Sequence, residues 1–267
     1  MSKELAPLAS ALEILLSGLQ HSFEQQRRFV GDAAHELKTS VAVVKSSLQL
    51  LGMKQRTPEE YQAGLERCLT DCERMEAVVA QMLTLARVEE SQTAEPTVFQ
   101  TEIILSLREV SQKLETVAEA KGIAIALPAD PFCVVNVEAE DFKLLCTNLL
   151  MNSLQHSPPN SVIHVDLKRE GRSAEIRIRD HGEGIAPEDL PRIFERFFRS
   201  DPSRSRKTGG TGLGLAICKA IVDKFGGTIA IHSELTVGTT VAVRFTMTEI
   251  VPSLLKAEES NALFRPS

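Results

Sequence analysis

The chain has 267 residues, of which 43% are hydrophobic and 25% are charged, and its formal net charge is -6. This length suits two modest domains, each large enough to bury a core without disulfides or metals. The composition is that of a globular protein without the basic surplus on which nucleic-acid binding depends, so we expect no nucleic-acid partner.

Residues 3–90 show a helical pattern and almost no strand signal. In the first run apolar residues recur every three or four positions, namely Phe29, Val30, Ala33, Leu37, Val41, Val44, Leu48 and Leu51. After a break over residues 52–58, a second run starts with Thr57 as a candidate N-cap and Pro58 in the first turn. Two antiparallel helices cannot enclose their own apolar stripes. The pattern therefore predicts a helical hairpin that forms a four-helix bundle with a second copy, as a homodimer.

The five cysteines are an odd number spread over a long chain, which is typical of reduced thiols in the cytoplasm. Cys68 and Cys72 lie one helical turn apart and could share a metal ion. No second Cys or His pair follows at the spacing of a zinc site, so the pattern favours buried helix thiols.

The stretch SQTAEPT, residues 91–97, contains turn formers and no apolar periodicity, and it predicts a domain boundary. Beyond it strand-like and helix-like runs alternate, which indicates an α/β sandwich with helices on one face of a sheet. The expected strands cover residues 123–127, 133–137, 162–168, 174–179, 228–232 and 240–245, and the expected helices cover 102–121, 139–156, 187–198 and 213–225. The polar, aperiodic residues 249–267 predict a frayed tail.

Two glycine-rich clusters lie at the ends of predicted elements. DHGEGI, residues 180–185, follows a strand, and the Asp180 carboxylate there can accept a hydrogen bond from an exocyclic amine. GGTGLGLAI, residues 209–217, runs into a helix and offers bare amides and a helix N-terminus that suit phosphate. A glycine turn that only caps the helix is the alternative interpretation of the second cluster.

The stretch NLLMNSLQH places Asn148, Asn152 and His156 on one face of a predicted helix. Amide oxygens are hard ligands, and magnesium takes only one or two protein groups beside water and phosphate oxygens. A solvated polar face of an amphipathic helix is the alternative.

Together these three clusters resemble the N, G1 and G2 boxes of the GHKL ATPase superfamily. RIFERFFR, residues 192–199, resembles the F box of its sensor histidine kinase branch, and GTT at 238–240 resembles the last glycine box. The resemblance implies a GHKL-type α/β sandwich ATPase domain over residues 98–248.

The same resemblance implies that ATP and Mg²⁺ bind here. Asn152 would coordinate the magnesium ion with help from Asn148, and Asp180 would bind the adenine amine. The other nucleotide contacts would come from His156, Gly182, Gly184, Gly210, Thr211, Gly212, Leu213 and Gly214. Residues 186–210 would form a mobile lid with the cations Arg204, Arg206 and Lys207. The chain departs from the family at Gln155, where a basic residue is usual, and at His156, where Tyr or Phe is common.

HELKTS, residues 35–40, lies inside the first helical run. A zinc motif of the HExxH type fails because Thr39 occupies the position of the second histidine. A solvated histidine is one remaining interpretation, and a phosphoacceptor is the other. For the latter, neutral His35 is nucleophilic near pH 7 and Glu36 can hold the proton of the other ring nitrogen.

FVGDAAHELKTSV resembles the H box of sensor histidine kinases, so both halves of the chain point to one family. The resemblance implies an ATP-dependent kinase that phosphorylates His35 with Glu36 as general base, then passes the phosphoryl group to an aspartate of a response regulator. Thr39 would place a water or the regulator for a phosphatase reaction. The expected domains are a signalling helix at 1–21, a dimerisation and phosphotransfer hairpin at 22–90, a hinge at 91–97 and the ATPase domain.

Residues 3–21 resemble the last helix of a HAMP signal-relay module, and a plain extension of the bundle helix is the alternative. No apolar run in the chain reaches membrane-spanning length, so this chain is expected to make no membrane contact. The resemblance implies that the whole protein is an inner-membrane sensor and that this chain is its cytoplasmic part.

Ser40 stands where the family usually has proline. Proline inside a helix removes a backbone donor and bends the helix. We therefore expect a helix that stays hydrogen-bonded through Ser40 and bends less there, or that bends at Gly31 instead.

Overall fold

The computed structural model describes residues 6–90, 98–128, 132–200 and 210–248. The start of the expected signalling helix, the expected hinge at 91–97 and the expected tail at 249–267 lie outside these residues. The chain divides into two compact units, Met1–Met82 and Leu83–Ser267.

The first unit is a helical hairpin, as the periodicity predicted. Helix α1 spans Ala6–Gly52 and helix α2 spans Pro58–Glu90. A reciprocal capping box starts α2, because Glu60 N donates to Thr57 Oγ1 at 3.3 Å and Thr57 N donates to Glu60 Oε2 at 3.1 Å. The helix α1 is continuous through Ser40, whereas the degree of bending there stays a prediction.

The hairpin leaves large apolar side chains exposed on both of its helices. They include Val30, Val41, Leu48, Leu65, Leu69 and Val79. A groove of about 440 Å³ between the helices is lined partly by half-buried apolar side chains, among them Val44 and Met75. A single chain therefore does not enclose its own apolar stripes.

The second unit is a five-stranded sheet with strand order β2-β4-β5-β7-β6, in which only the β2–β4 pair is parallel. Its strands are β2 (Ala124–Ala126), β4 (Val162–Glu170), β5 (Ser173–Arg179), β6 (Thr228–Glu234) and β7 (Gly238–Thr246). A small second sheet pairs β1 (Thr101–Glu102) with β3 (Val134–Val135). The helices are α3 (Ile103–Ala120), α4 (Ala139–His156) and α5 (Gly214–Lys224), and they contact β2, β5 and β6. This architecture confirms the predicted α/β sandwich.

Alternate residues of the central strands face a dry core, among them Ile163, Ile176 and Val243. Many of their neighbours on the other face are polar. Glu175 on that face accepts hydrogen bonds from Arg244 at 2.8 Å and from Arg177 at 2.5 Å. The hydrogen bond from Arg244 is the main reason why the pKa of Glu175 is lowered, despite its burial.

The predicted helix over 187–198 is wrong. Only a single turn of 3₁₀ helix forms, at Leu190–Arg192, within a run of turns. Pro191 lacks a backbone donor, and Phe197 adopts a left-handed conformation with φ 61°. Phe197 N donates instead to Gly212 O at 2.9 Å, so a tertiary contact takes the place of the helical bond.

The last two turns of α2 belong to the second unit. Leu85 and Val88 are almost completely buried. Asp141 on α4 is fully buried, and its carboxylate accepts from Arg87 at 2.8 Å and from Lys224 at 2.6 Å. The end of α2 is thus an integral element of the second unit, and this ion pair helps to hold it there.

A second ion pair joins the same end of α2 to the turns that follow the 3₁₀ helix. Arg196 Nη2 lies 2.5 Å from Glu89 Oε1. Burial raises the pKa of Glu89, and the charge of Arg196 offsets only part of that effect.

Candidate functional site

Asp180 follows β5 directly and is buried at the end of the strand, with 7% of its surface exposed. Its Oδ1 accepts from Gly182 N at 3.0 Å and from Thr239 N at 3.1 Å. Its Oδ2 accepts from Ser153 Oγ at 3.2 Å. The carboxylate is therefore held in one orientation by three donors from three different segments.

The glycines around Asp180 are explained by close approach of protein backbones. A Cβ on Gly182 would lie 2.6 Å from His156 O, and a Cβ on Gly184, where φ is 71°, would lie 2.1 Å from Glu234 O. Both contacts are shorter than any side chain tolerates. The loop thereby fits between the end of α4 and the hairpin that joins β6 to β7.

The two asparagines of α4 direct their amide oxygens to the start of α5. Asn148 Nδ2 donates to Leu144 O at 3.0 Å, which leaves its Oδ1 available. A Cβ on Gly214 would lie 3.2 Å from Asn148 Oδ1 and 4.0 Å from Asn152 Oδ1. Both side chains are half-buried, so they do not belong to a freely solvated face. Two hard oxygens beside a glycine at a helix N-terminus fit a magnesium ion that also binds phosphate.

His156 lies at the exposed C-terminal end of the same helix face. Its Nδ1 is 2.9 Å from Glu183 Oε1, and both side chains are largely open to solvent. This contact connects α4 to the loop between Gly182 and Gly184, at the rim of the site.

The glycine-rich loop before α5 is fixed by its contact with the turns that follow the 3₁₀ helix. Gly212 has φ 76°, and a Cβ there would lie 2.7 Å from the carbonyl carbon of Phe197. Thr211 Oγ1 accepts from Leu213 N at 3.2 Å, and Leu213 is fully buried. Gly210, in contrast, has open space where a side chain would start. The conformation of this loop therefore depends on a distant segment as well as on the helix that follows it.

The expected lid is described only at its two ends. Arg199 Nη2 donates to Gly210 O, and the Arg192 guanidinium lies 4.6 Å from the centre of the Phe198 ring. The proposed phosphate-binding cations Arg204, Arg206 and Lys207 lie outside the described residues.

His35 is exposed on α1, and Glu36 beside it is half-buried. Thr39 Oγ1 donates to the backbone oxygen of His35 at 2.9 Å, so the threonine lies one turn along the same helix face. The position of this histidine in an unbroken, solvent-facing helix leaves its ring accessible to a partner domain.

All five cysteines are free thiols. Burial raises the pKa of Cys146 and of Cys218, so these two thiols are unreactive near neutral pH. Within the described residues no group of three or more His, Cys, Asp or Glu side chains could hold a metal ion, so nothing there supports a metal at Cys68 and Cys72.

Two residues at the site were missed by sequence reasoning. Ser153 directly follows Asn152, and Thr239 lies in the GTT motif, yet neither was assigned a contact. The motif GTT was the one available signal for Thr239. Nothing in the sequence marked Ser153.

A buried carboxylate at a strand end, an asparagine pair on the facing helix and a glycine loop that opens another helix together define a nucleotide-binding domain of the GHKL class. The comparisons agree. The family model for "Histidine kinase-, DNA gyrase B-, and HSP90-like ATPase" matches residues 138–249. The model for the "His Kinase A (phospho-acceptor) domain" matches residues 25–91.

Similar proteins extend over both regions. The sensor protein IrlS of Burkholderia pseudomallei is 32% identical over 255 residues, which are 91% of this chain and 52% of that protein. The sensor-like histidine kinase SenX3 of Mycobacterium tuberculosis is 32% identical over 232 residues, which are 87% of this chain and 55% of that protein. The chain thus spans about half the length of these relatives, and it belongs to the sensor histidine kinase family.

Solved structures share the fold. Histidine kinase AdeS of Acinetobacter baumannii matches with a TM-score of 0.63 at 21% identity, over 80% of this chain and 98% of that one. Histidine kinase ThkA, in complex with response regulator protein TrrA, matches with a TM-score of 0.65 at 19% identity, over 86% of this chain and 66% of that one. Among the described residues, no helix has the length and apolar character needed to cross a bilayer.

Proposed function

We propose that this chain is a kinase core that uses ATP to phosphorylate His35 and then passes the phosphoryl group to an aspartate of a response regulator. The observation that carries the proposal is the pairing, in one chain, of an exposed helical histidine with a separate unit whose Asp180 carboxylate is buried and held by three donors. Phosphoryl transfer needs mainly positioned groups and compensated charge, so these two parts are sufficient.

In this proposal Asp180 accepts a hydrogen bond from the adenine amine, and the glycine loop from Gly210 to Gly214 lies along the triphosphate. Asn152 and Asn148 would hold a magnesium ion, because their amide oxygens both lie near the first residue of α5. The ion, when bound, neutralises charge on the phosphate oxygens. The backbone amides at the N-terminus of α5 add a favourable dipole for the same anion.

At the phosphoacceptor, the Nε2 lone pair of His35 forms the new bond to the γ-phosphorus. The bond between that phosphorus and the β,γ-bridging oxygen breaks, and ADP leaves with its electrons. Glu36 holds the Nδ1 proton, which keeps Nε2 unprotonated before attack and stabilises the positive ring after it. Thr39, one turn along the face, orients water or the regulator for phosphatase activity.

The proposed assembly is a homodimer with a response regulator as its partner. The exposed apolar residues of the hairpin support the dimer, because a second copy would remove them from water in a four-helix bundle. The regulator is supported by the structure of ThkA, which was solved with the regulator TrrA. The use of ATP and the free thiols support a cytoplasmic location. Attachment to an inner-membrane sensor rests on the family resemblance alone.

The decisive experiment is incubation with magnesium and ATP labelled in its γ-phosphate. Wild-type chain is expected to acquire label that is stable in base and labile in acid, and His35→Gln is expected to acquire none. His232→Gln, which changes an exposed histidine of β6, is the matched control and keeps the label. A wild-type chain that binds ATP without labelling would refute kinase activity and leave a nucleotide-responsive binding module.

A further inference from the structure

Ser153 is a buried residue of α4 that the proposed mechanism does not use. Only 3% of its surface is exposed, and its hydroxyl donates to Asp180 Oδ2 at 3.2 Å. It directly follows Asn152, so one turn of helix bears both the proposed metal ligand and a contact to the proposed base-binding carboxylate.

The two oxygens of Asp180 have different surroundings. Oδ1 already accepts two backbone N–H groups, from Gly182 and Thr239, and has no lone pair left. Oδ2 accepts only from Ser153 among the described residues, so one of its lone pairs is open. A ligand amine must therefore bind at Oδ2, on the side that Ser153 leaves free.

We propose that Ser153 is a positioning residue for nucleotide recognition, which fixes Asp180 Oδ2 so that its open lone pair meets the 6-amino group of a purine. This deepens the proposed function and rests on it. Because the serine proton is engaged by the carboxylate, the pair offers no donor to the 6-oxo group of guanine.

A purely structural role gives a different expectation. The hydrogen bond could serve only to give the buried Ser153 hydroxyl and the buried carboxylate a partner. Removal of the hydroxyl would then loosen the whole pocket. All nucleotides would lose affinity together. A nucleotide that lacks the 6-amino group separates these two roles.

The test compares the binding of ATP and of purine riboside triphosphate, which lacks that amine, by titration calorimetry. Ser153→Ala is expected to weaken ATP binding about tenfold, the loss typical of a hydrogen bond to a charged group, and to change binding of the analogue less than about twofold. Ser106→Ala, another buried serine of the same unit that bonds to Glu102 O, changes neither affinity.

Equal weakening of both nucleotides, or no change in either, would overturn the positioning role. If Ser153→Ala does not fold, Ser153→Thr retains the hydroxyl and must keep the preference for ATP over the analogue, and loss of that preference has the same meaning. Failure of the proposed function is separate and is seen in the wild-type chain itself, which would then bind neither nucleotide or would bind ATP without acquiring label.

Discussion

Replacing Asp141 tests how the last turns of α2 are held within the second unit. Asp141→Asn keeps the shape of the side chain and removes a fully buried charge that two cations share. Lys224 has only 12% of its side chain exposed and would be left without its nearest anion, 2.6 Å away, whereas Arg87 is 58% exposed and can be solvated. Removal of one partner from a buried ion pair costs roughly 3 to 5 kcal/mol. Lys224 keeps a longer contact to Glu138 at 3.6 Å, so we expect about 3 kcal/mol.

Hydrogen exchange is the appropriate assay for this change. The chain has no tryptophan and its one tyrosine, Tyr61, lies in the first unit, so the intrinsic fluorescence does not report on the second. For the slowest-exchanging amides of β5, the free energy of exchange is expected to fall by the full destabilisation of the Asp141 variant. Arg87→Ala should cost only about 1 kcal/mol, since Asp141 retains Lys224, and the exposed neighbour change Glu140→Gln should cost almost nothing. If Asp141→Asn costs no more than Arg87→Ala, the reasoning about the buried cluster is wrong.

Three further predictions concern the dimer, acid stability and the base loop. Leu69→Glu is expected to raise the dissociation constant of the dimer roughly 100-fold in analytical ultracentrifugation, because the symmetric interface contains the buried charge twice; an unchanged dimer would place the interface elsewhere. The arginine partners of Glu175 lower its pKa, and this stabilises the folded state at pH values above the ordinary glutamate pKa of 4.5. The stabilisation is lost as the pH falls from 4.5 through the lowered pKa of Glu175. Glu175→Gln should therefore flatten the acid limb of a pH-dependent urea titration, and a limb identical to that of the wild type would contradict the assignment. Gly184→Ala forces a Cβ against a backbone oxygen at positive φ and should destabilise the second unit by more than about 2 kcal/mol. Gly210→Ala, with open space around it, is the control in the same thermal melt, and equal effects of the two changes would remove the steric argument.

Local chemistry made much of the fold predictable. Thr57 and Pro58 marked the start of α2, and the alternation of β4 and β5 marked the buried face of the sheet. The α4 helix was predicted at its observed bounds, because apolar periodicity and the flanking residues agree there. These features depend on neighbours within a turn or a strand.

The features that the sequence did not predict all depend on contacts between residues that are far apart in the chain. Residues 187–198 have helical apolar spacing, yet Phe197 bonds to Gly212 instead of to its own turn. Ser153 and Thr239 reach Asp180 from 27 and 59 positions away in the chain. A periodic pattern indicates that a helix face is buried but does not indicate which part of the protein buries it. For this reason the sequence did not predict that Leu85 and Val88 pack in the second unit.

The placement of these last turns of α2 affects how the ATP-binding part of the chain can be excised for separate study. A fragment that starts at residue 98, at the predicted domain edge, would lack Arg87 and the apolar side chains of Leu85 and Val88. Its surface would then have an exposed apolar patch beside the Asp141 carboxylate, which would have lost one of its two cationic partners. A fragment that starts at Leu83 retains these residues and the whole second compact unit. It should therefore be more soluble and melt at a higher temperature than the fragment that starts at residue 98.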